Sequence, residues 1–369
     1  MDAIEYLIWC DGWRIPHGGG MLTFQDRFPA GAGYLAACTQ GLPTHATVAA
    51  GRADLDRWAS GASSPVDYDD AVRRARASFP RLAGVPVDAV AIGSQVSVLA
   101  SLVAASVPDG ATVLCADGDF ASMVAPFYAQ AHRGVVVRSA PLAALADAID
   151  DRTWLVAFSL VQSATGALAD ADGILAACAR TGTRTFADLT QALGWLPVDA
   201  SRFDVTATHA YKWLCAPRGS AFLTVGDVMR EALVPVHAGW CAGEDPWTSC
   251  YGPVVEPARS ARRFDVSPAW PVWPGTAAAL GLFDDLDIHA VHAHATALGD
   301  TFAEAMGLPT RGQAIVTWDD PDGAALADLA AAGLRASGRA GRARVAFHLW
   351  NDEADVHAAL KAVRTPAVR

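Results

Sequence analysis

From residue 68 onward, short apolar runs alternate with longer stretches whose apolar positions recur at helical spacing. A helix is predicted over 69–79, a strand over 89–92 and a second helix over 95–106. Strands follow over 112–116, 135–138, 154–159 and 184–188, with helices over 121–131 and 169–180 among them. Two further short strands fall near 205–208 and 221–225. Strands alternating with helices predict a mostly parallel sheet covered on both faces. Ligands in such sheets sit beyond the carboxyl ends of the strands.

The pattern changes on either side of this block. Residues 28–61 read as a leading arm with one helix. After residue 236 the stretch HAGWCAGEDPWTSCYGP is rich in Gly, Pro and Trp and reads as a loop. A helix over 276–286 comes next. Then strands at 314–318 and 343–348 alternate with a helix at 323–332 and a final helix, the pattern of a small α+β domain. The expected division is 1–65 for the arm and a small-domain segment, 66–255 for the large domain, and 256–369 for the C-terminal small domain.

Composition narrows the function classes. The 369 residues are 52% hydrophobic and 18% charged, enough for two buried cores. No apolar run reaches membrane-spanning length, so no membrane association is expected. The N-terminus is acidic where a secretory leader is basic. The glycines at 18–20 read as a flexible join, and Met21 as an alternative start. A net charge of −11 argues against nucleic acid as a partner. The seven cysteines are odd in number and widely spaced, without a Cys-x-x-Cys pair. They read as reduced thiols of a cytoplasmic protein, with no disulfide framework and no metal site. His289, His292 and His294 do not all share one helical face, so they too predict no metal.

Lysine usage points to chemistry. Of 28 Lys and Arg residues, only Lys212 and Lys361 are lysines. Lys361 falls on a late amphipathic helix. Lys212 lies in THAYKWLCAPRG, among Tyr, Trp and Leu, where a buried amine is costly and a covalent imine uses chemistry that arginine lacks. Asp188 closes an apolar strand 24 residues earlier. If both strands end at one sheet edge, carboxylate and amine face one crevice. Pyridoxal phosphate (PLP) needs that pair, one group for its pyridine nitrogen and one for its aldehyde. Gln191 is positioned to donate to the ring's phenolic oxygen. At the strand–helix junction AIGSQVSVLASLV, Gly93, Ser94, Gln95 and Val96 offer backbone N–H donors for a phosphate. Taken singly, each has a plainer reading: the junction as a turn and cap, Asp188 as a cap, Phe120 as core, Arg344 as a surface ion pair, His209 as a satisfied core histidine.

The segments RFPAGAGYLAACTQGLP, GSQVS, DGDFAS, SATG, DLTQALGWLPVD, YKWLCAPRG, RRFDVSP and RVAFHLWNDEADV occur in an order that resembles the class V aminotransferase family of PLP enzymes, from Phe28 onward. The resemblance implies an α/β fold of PLP-dependent transferase type I: a large domain with a mainly parallel sheet flanked by helices, plus a smaller α+β C-terminal domain. It implies that Lys212 is the Schiff-base lysine, that Asp188 partners the pyridine nitrogen and Gln191 the phenolic oxygen, and that Phe120 stacks on the ring. Ser163 or Thr165 lines the cofactor, with Ser94, Gln95 and Val96 at its phosphate. His209 and Tyr211 match phosphate-side positions, Tyr211 also standing with Lys212 and Asp188 as a catalytic group. Arg344 matches the arginine that clamps the substrate carboxylate, and Thr39 lies in the arm expected to shape selectivity. Trp240 and Ser267 match positions that reach a neighbouring subunit's site, which implies a homodimer.

The same resemblance implies reaction of an amino acid through an external aldimine and a Cα carbanion. Tyr211 in place of the usual His, with GWCAG and FDVSP, favours kynureninase-like or C–S lyase-type cleavage at Cβ. Gln191 stands where kynureninases commonly carry His. No cysteine follows Cys250, which argues against a persulfide route. Transamination and epimerisation are the alternatives, and a non-catalytic protein of the same fold is a distant one.

Overall fold

The computed structural model describes residues 24–252 and 256–364; Cys10, the glycines at 18–20 and Met21 lie outside the described residues. Helices α1 (His45–Ala59) and α2 (Pro65–Ala83) come first. The first sheet is then laid down as β1 (Val90–Gly93), α3 (Val96–Ala105), β2 (Thr112–Ala116), α4 (Ala121–Tyr128), β3 (Val136–Ala140), β4 (Thr153–Ser159), α5 (Ala171–Thr181), β5 (Arg184–Asp188), β6 (Val205–His209) and β7 (Ala221–Val225). After α6 (Asp227–Ala232) come α7 (Trp273–Asp284) and α8 (Ile288–Ala305). The chain closes with β8 (Ile315–Asp319), α9 (Ala324–Ala331), β9 (Ser337–Arg339), β10 (Arg342–Ala346) and α10 (Glu353–Arg364).

The seven-stranded sheet has the order β1-β7-β6-β5-β4-β2-β3. All its strands run the same way except β7, which is antiparallel to both neighbours. This is the mainly parallel α/β architecture expected. Side-chain alternation explains why both faces are covered. Val156 and Phe158 of β4 enter one core with α2, α5 and α7, while Leu155 and Ala157 enter the other with α3 and α4. Phe222 of β7 stacks on Phe79 of α2 at 4.2 Å between ring centroids. Helix α2 starts earlier than its apolar pattern suggests, because Ser64 and Asp67 form a capping box ahead of it and Pro65 takes the first turn.

A second, three-stranded antiparallel sheet has the order β8-β10-β9. Its core gathers Phe302 from α8, Leu329 from α9, Val345 and Phe347 around β10, and Val356 from α10. Leu35, from the arm, is buried in the same core. The arm is therefore structural: Leu35 donates to the Arg335 carbonyl at 2.8 Å and accepts from Ala346 at 2.9 Å. Six residues later Gly41 donates to the Tyr211 carbonyl at 2.9 Å. One strap thus joins the small sheet to the loop that carries Lys212.

Candidate active site

Parallel strands deliver their carboxyl ends to one edge, and the candidate residues collect there. Strand β5 ends at Asp188, β6 at His209, and β4 at Ser159; Phe120 follows β2 and Gln95 follows β1. Reversal of β7 folds the 210–220 loop back over this edge, and Lys212 is on that loop. A cavity of about 110 Å³ lies between these ends. Its walls include Gln95, Val96, Phe120, Asp188, Gln191 and Lys212, together with Ser163, His209 and Tyr211.

Lys212 is buried, and among the described residues its ammonium lies 5.5 Å from the Phe120 ring centroid and 5.6 Å from that of Tyr211. Burial pushes its pKa down to about 8, although the Asp188 carboxylate pulls the other way. Asp188 is buried too. Desolvation raises its pKa to about 6, opposed by bonds from Thr190 and the charge of Lys212. Its Oδ1 accepts from the Thr190 N–H at 2.8 Å. Thr190 Oγ1 in turn accepts from the His209 N–H at 3.0 Å, which ties β5 to the end of β6. His209 is held neutral, its pKa pushed down to about 3 by burial and then by the positive charges of Arg218 and Lys212. Its Nε2 is buried with no hydrogen-bond partner among the described residues.

Phe120 is 46% exposed and forms part of the cavity wall, so it is not core. Asp119 fixes its loop: one carboxylate oxygen accepts from the Phe120 N–H and the other from the Ser159 N–H, both at 2.7 Å. Gln191 carries a different load from the one expected. Both hydrogens of its amide are engaged, by the Cys38 carbonyl at 2.8 Å and Ser163 Oγ at 3.1 Å. Its Oε1 accepts from Trp213 Nε1 at 2.8 Å, so Gln191 braces the residue after Lys212. Donation to a phenolic oxygen requires release of one of these bonds, the Ser163 bond being the one at the cavity.

Arg344 lies on β10 and is 1% exposed, which overturns the reading of a surface ion pair. It has no carboxylate partner among the described residues. Nε donates to Ser337 Oγ at 3.2 Å, Nη2 to Thr39 Oγ1 at 2.9 Å, and Nη1 to the carbonyl and hydroxyl oxygens of Ser163. Burial lowers its pKa. Thr39 thus touches the arginine rather than the cavity wall.

Like Thr39 and Arg344, four further expected residues stand outside the cavity wall. Ser94 precedes it by one position in the chain, and Gln95 and Val96 form the wall. Thr165 faces a separate cavity beside Ile315 and Arg342, because its hydroxyl caps the turn at Gly166 by accepting from the Ala167 N–H at 3.2 Å. Trp240 lines a groove of about 740 Å³ with Asp69, Arg76 and Asp265, and Ser267 bonds the Cys241 thiol nearby. Conversely, Arg218 was not anticipated. Its guanidinium lies 4.8 Å from the Tyr211 ring centroid, at the cavity wall beside His209. Cys38, one of the cysteines read as reduced thiols, lies close enough to Arg344 and Lys212 for electrostatic coupling.

The residues fit PLP. A buried carboxylate and a lysine of lowered pKa face one cavity, a half-exposed aromatic ring flanks it, and an orphaned imidazole nitrogen, a guanidinium and the start of α3 offer donors to a phosphate.

The chain is 30% identical over 258 residues to the kynureninase of Deinococcus radiodurans, covering 68% of this chain and 62% of that protein's length. It is 29% identical over 258 residues to the uncharacterized aminotransferase YcbU of Bacillus subtilis, covering 66% of this chain and 68% of YcbU. In structure it resembles a C-DES mutant with glycine covalently linked to the PLP cofactor, with a TM-score of 0.82, 21% identity, and coverage of 91% of this chain and 98% of that one. A sequence model of the class-V aminotransferases matches residues 91–314, the segment that holds the first sheet and the lysine loop, and the chain therefore belongs to this PLP-dependent family.

Proposed function

We propose that the chain is a PLP-dependent enzyme that acts on an amino acid and cleaves a bond at its Cβ, as a kynureninase-like or C–S lyase-type enzyme. The observation that carries the first part is a single cavity walled by buried Lys212 and buried Asp188, with Arg344 buried nearby and paired to no carboxylate among the described residues. The second part is supported by Tyr211 directly before the lysine and by the likeness to a kynureninase.

When bound, the cofactor supplies an electrophilic aldehyde carbon and an electron sink for charge at Cα. Lys212, with a pKa of about 8, is partly neutral near neutral pH and serves as nucleophile and then as base at the Cα proton. Asp188, ionised above about pH 6, presents its charge to the pyridine nitrogen. Phe120, at the cavity wall, would pack against the bound group and exclude water. Arg344 receives the α-carboxylate, which displaces the hydroxyls of Ser163 and Thr39 from the guanidinium. His209, Tyr211, Arg218 and the N–H groups at the start of α3 hold the phosphate. Trp240 and Ser267, which do not line the Lys212 cavity of their own chain, would face a second copy in a homodimer.

Transamination is the second reading, favoured by the likeness to YcbU. The PLP-loaded chain is to be incubated with kynurenine, cysteine conjugates and common amino donors, each with an added 2-oxo acid. Release of alanine from kynurenine, or of pyruvate from a cysteine conjugate, is the expected result. Amination of the added 2-oxo acid in step with loss of donor amine overturns Cβ cleavage in favour of transamination.

A further inference from the structure

Strands β9 and β10 close a tight hairpin. Its two turn residues, Ala340 and Gly341, have φ of 50° and 71°, the signs of a type I′ turn. The register places Arg339 opposite Arg342, and Ser337 opposite Arg344. Opposed residues of neighbouring strands project to one face. Ser337 bonds Arg344 on that face, and Arg339 stands two residues further along the same edge strand. Arg339 and Arg344 are thus diagonal neighbours, about 7–8 Å apart at the backbone.

Like charges directly opposed across a ladder repel. Arg342 settles its side of this conflict by pairing with Asp319 at 2.5 Å. Arg339 has no acidic partner among the described residues; its side chain bonds only the neighbouring Gly338 carbonyl, at 2.7 Å. It does not line the Lys212 cavity itself; it stands diagonal to Arg344 on the edge strand, and its charge acts on Lys212, Tyr211 and Arg344. The hydrogen bonds of Arg344 to Ser337, Thr39 and Ser163 likewise all go to neutral oxygens. In a chain of net charge −11, two unpaired guanidiniums on one face beside the buried lysine form a local anion receptor.

We propose that Arg339 receives a second anionic group of the substrate while Arg344 takes the α-carboxylate, so that the substrate is an amino acid with a carboxylate or similar anion on a short side chain. This rests on the PLP-dependent reading above and names the substrate class within it. Cleavage at Cβ then acts on a side chain whose far end is anchored to β9.

The test uses the PLP-loaded full chain and ligand pairs that differ in one charge: aspartate against asparagine, glutamate against glutamine, and S-carboxymethylcysteine against its amide. Half-saturation is read from the change in the cofactor's visible absorbance. The acid members are expected to saturate at concentrations about ten-fold lower or more than the amides. In Arg339→Gln that ratio falls toward one. In Arg344→Lys both members of a pair weaken together and the ratio persists. Equal saturation in the wild-type chain, a preference for the amides, or an unchanged ratio in Arg339→Gln overturns the inference. Loss of the ratio in Arg218→Gln instead transfers the role to Arg218 and overturns it as well. If amides bind and acids do not, only this inference fails; if no amino acid shifts the absorbance, the PLP-dependent reading fails with it.

Discussion

Asp188 and Lys212 are both buried, and burial works against each charge. For Asp188 the folded pKa of about 6 lies above the ordinary value of 3.8. Ionising it therefore costs the apoprotein stability as pH rises through that window, and the full cost persists above about pH 6. Asp188→Asn keeps the side-chain oxygen that accepts from Thr190 and removes the charge. The variant apoprotein should be more stable than wild type at pH 8, by up to about 3 kcal/mol, and equal to it near pH 3, roughly a unit below the ordinary carboxyl pKa. Urea unfolding of the apoproteins at the two pH values measures this, and a less stable variant at pH 8 contradicts the assigned environment. Residue by residue, the site was readable where composition made a residue rare. Lys212 stood out as one of two lysines. Arg218 did not, because in an arginine-rich chain another arginine carries no signal. The double engagement of Gln191 was invisible as well, since its partners Cys38 and Trp213 come from distant parts of the chain.

At the scale of elements, the arm shows how local sequence serves the site. A Cβ on Gly41 would lie 1.9 Å from the Lys212 carbonyl oxygen, a backbone atom that cannot turn aside. Gly41→Ala must displace either the arm or the lysine loop. It is expected to lower the melting temperature and weaken PLP retention together. Gly51→Ala, inside α1 with nothing within 4 Å of its Cβ, is expected to raise stability by about 0.5–1 kcal/mol. Thermal unfolding of the two variants separates a helix-propensity effect from a steric one; a Gly41→Ala chain as stable as wild type with full retention contradicts the strap. Most strands were legible because their apolar runs are bounded by turn residues. Strand β9 was not, since Ser-Gly-Arg has no apolar residue and forms only as the edge partner of β10. The reversed direction of β7 was also hidden, because a buried strand shows the same apolar run whichever way it points.

For the whole molecule, the alternation of strands and helices already implied the sheet, and the sheet implied the edge at which Asp188 and Lys212 meet. The small sheet was readable as an α+β unit. The part of the arm within its core was not, because Leu35 pairs with residues some three hundred positions away. Among the described residues no helix is long and apolar enough to cross a membrane. The central claim is that this edge holds PLP on Lys212, and the scarcity of lysine makes it directly testable. The purified chain is to be incubated with PLP, reduced with borohydride, and its peptides weighed by mass spectrometry. The account predicts the cofactor's mass on the peptide containing Lys212, none on that containing Lys361, and no adduct in Lys212→Ala. An unlabelled chain, or equal labelling of the two lysines, would contradict it.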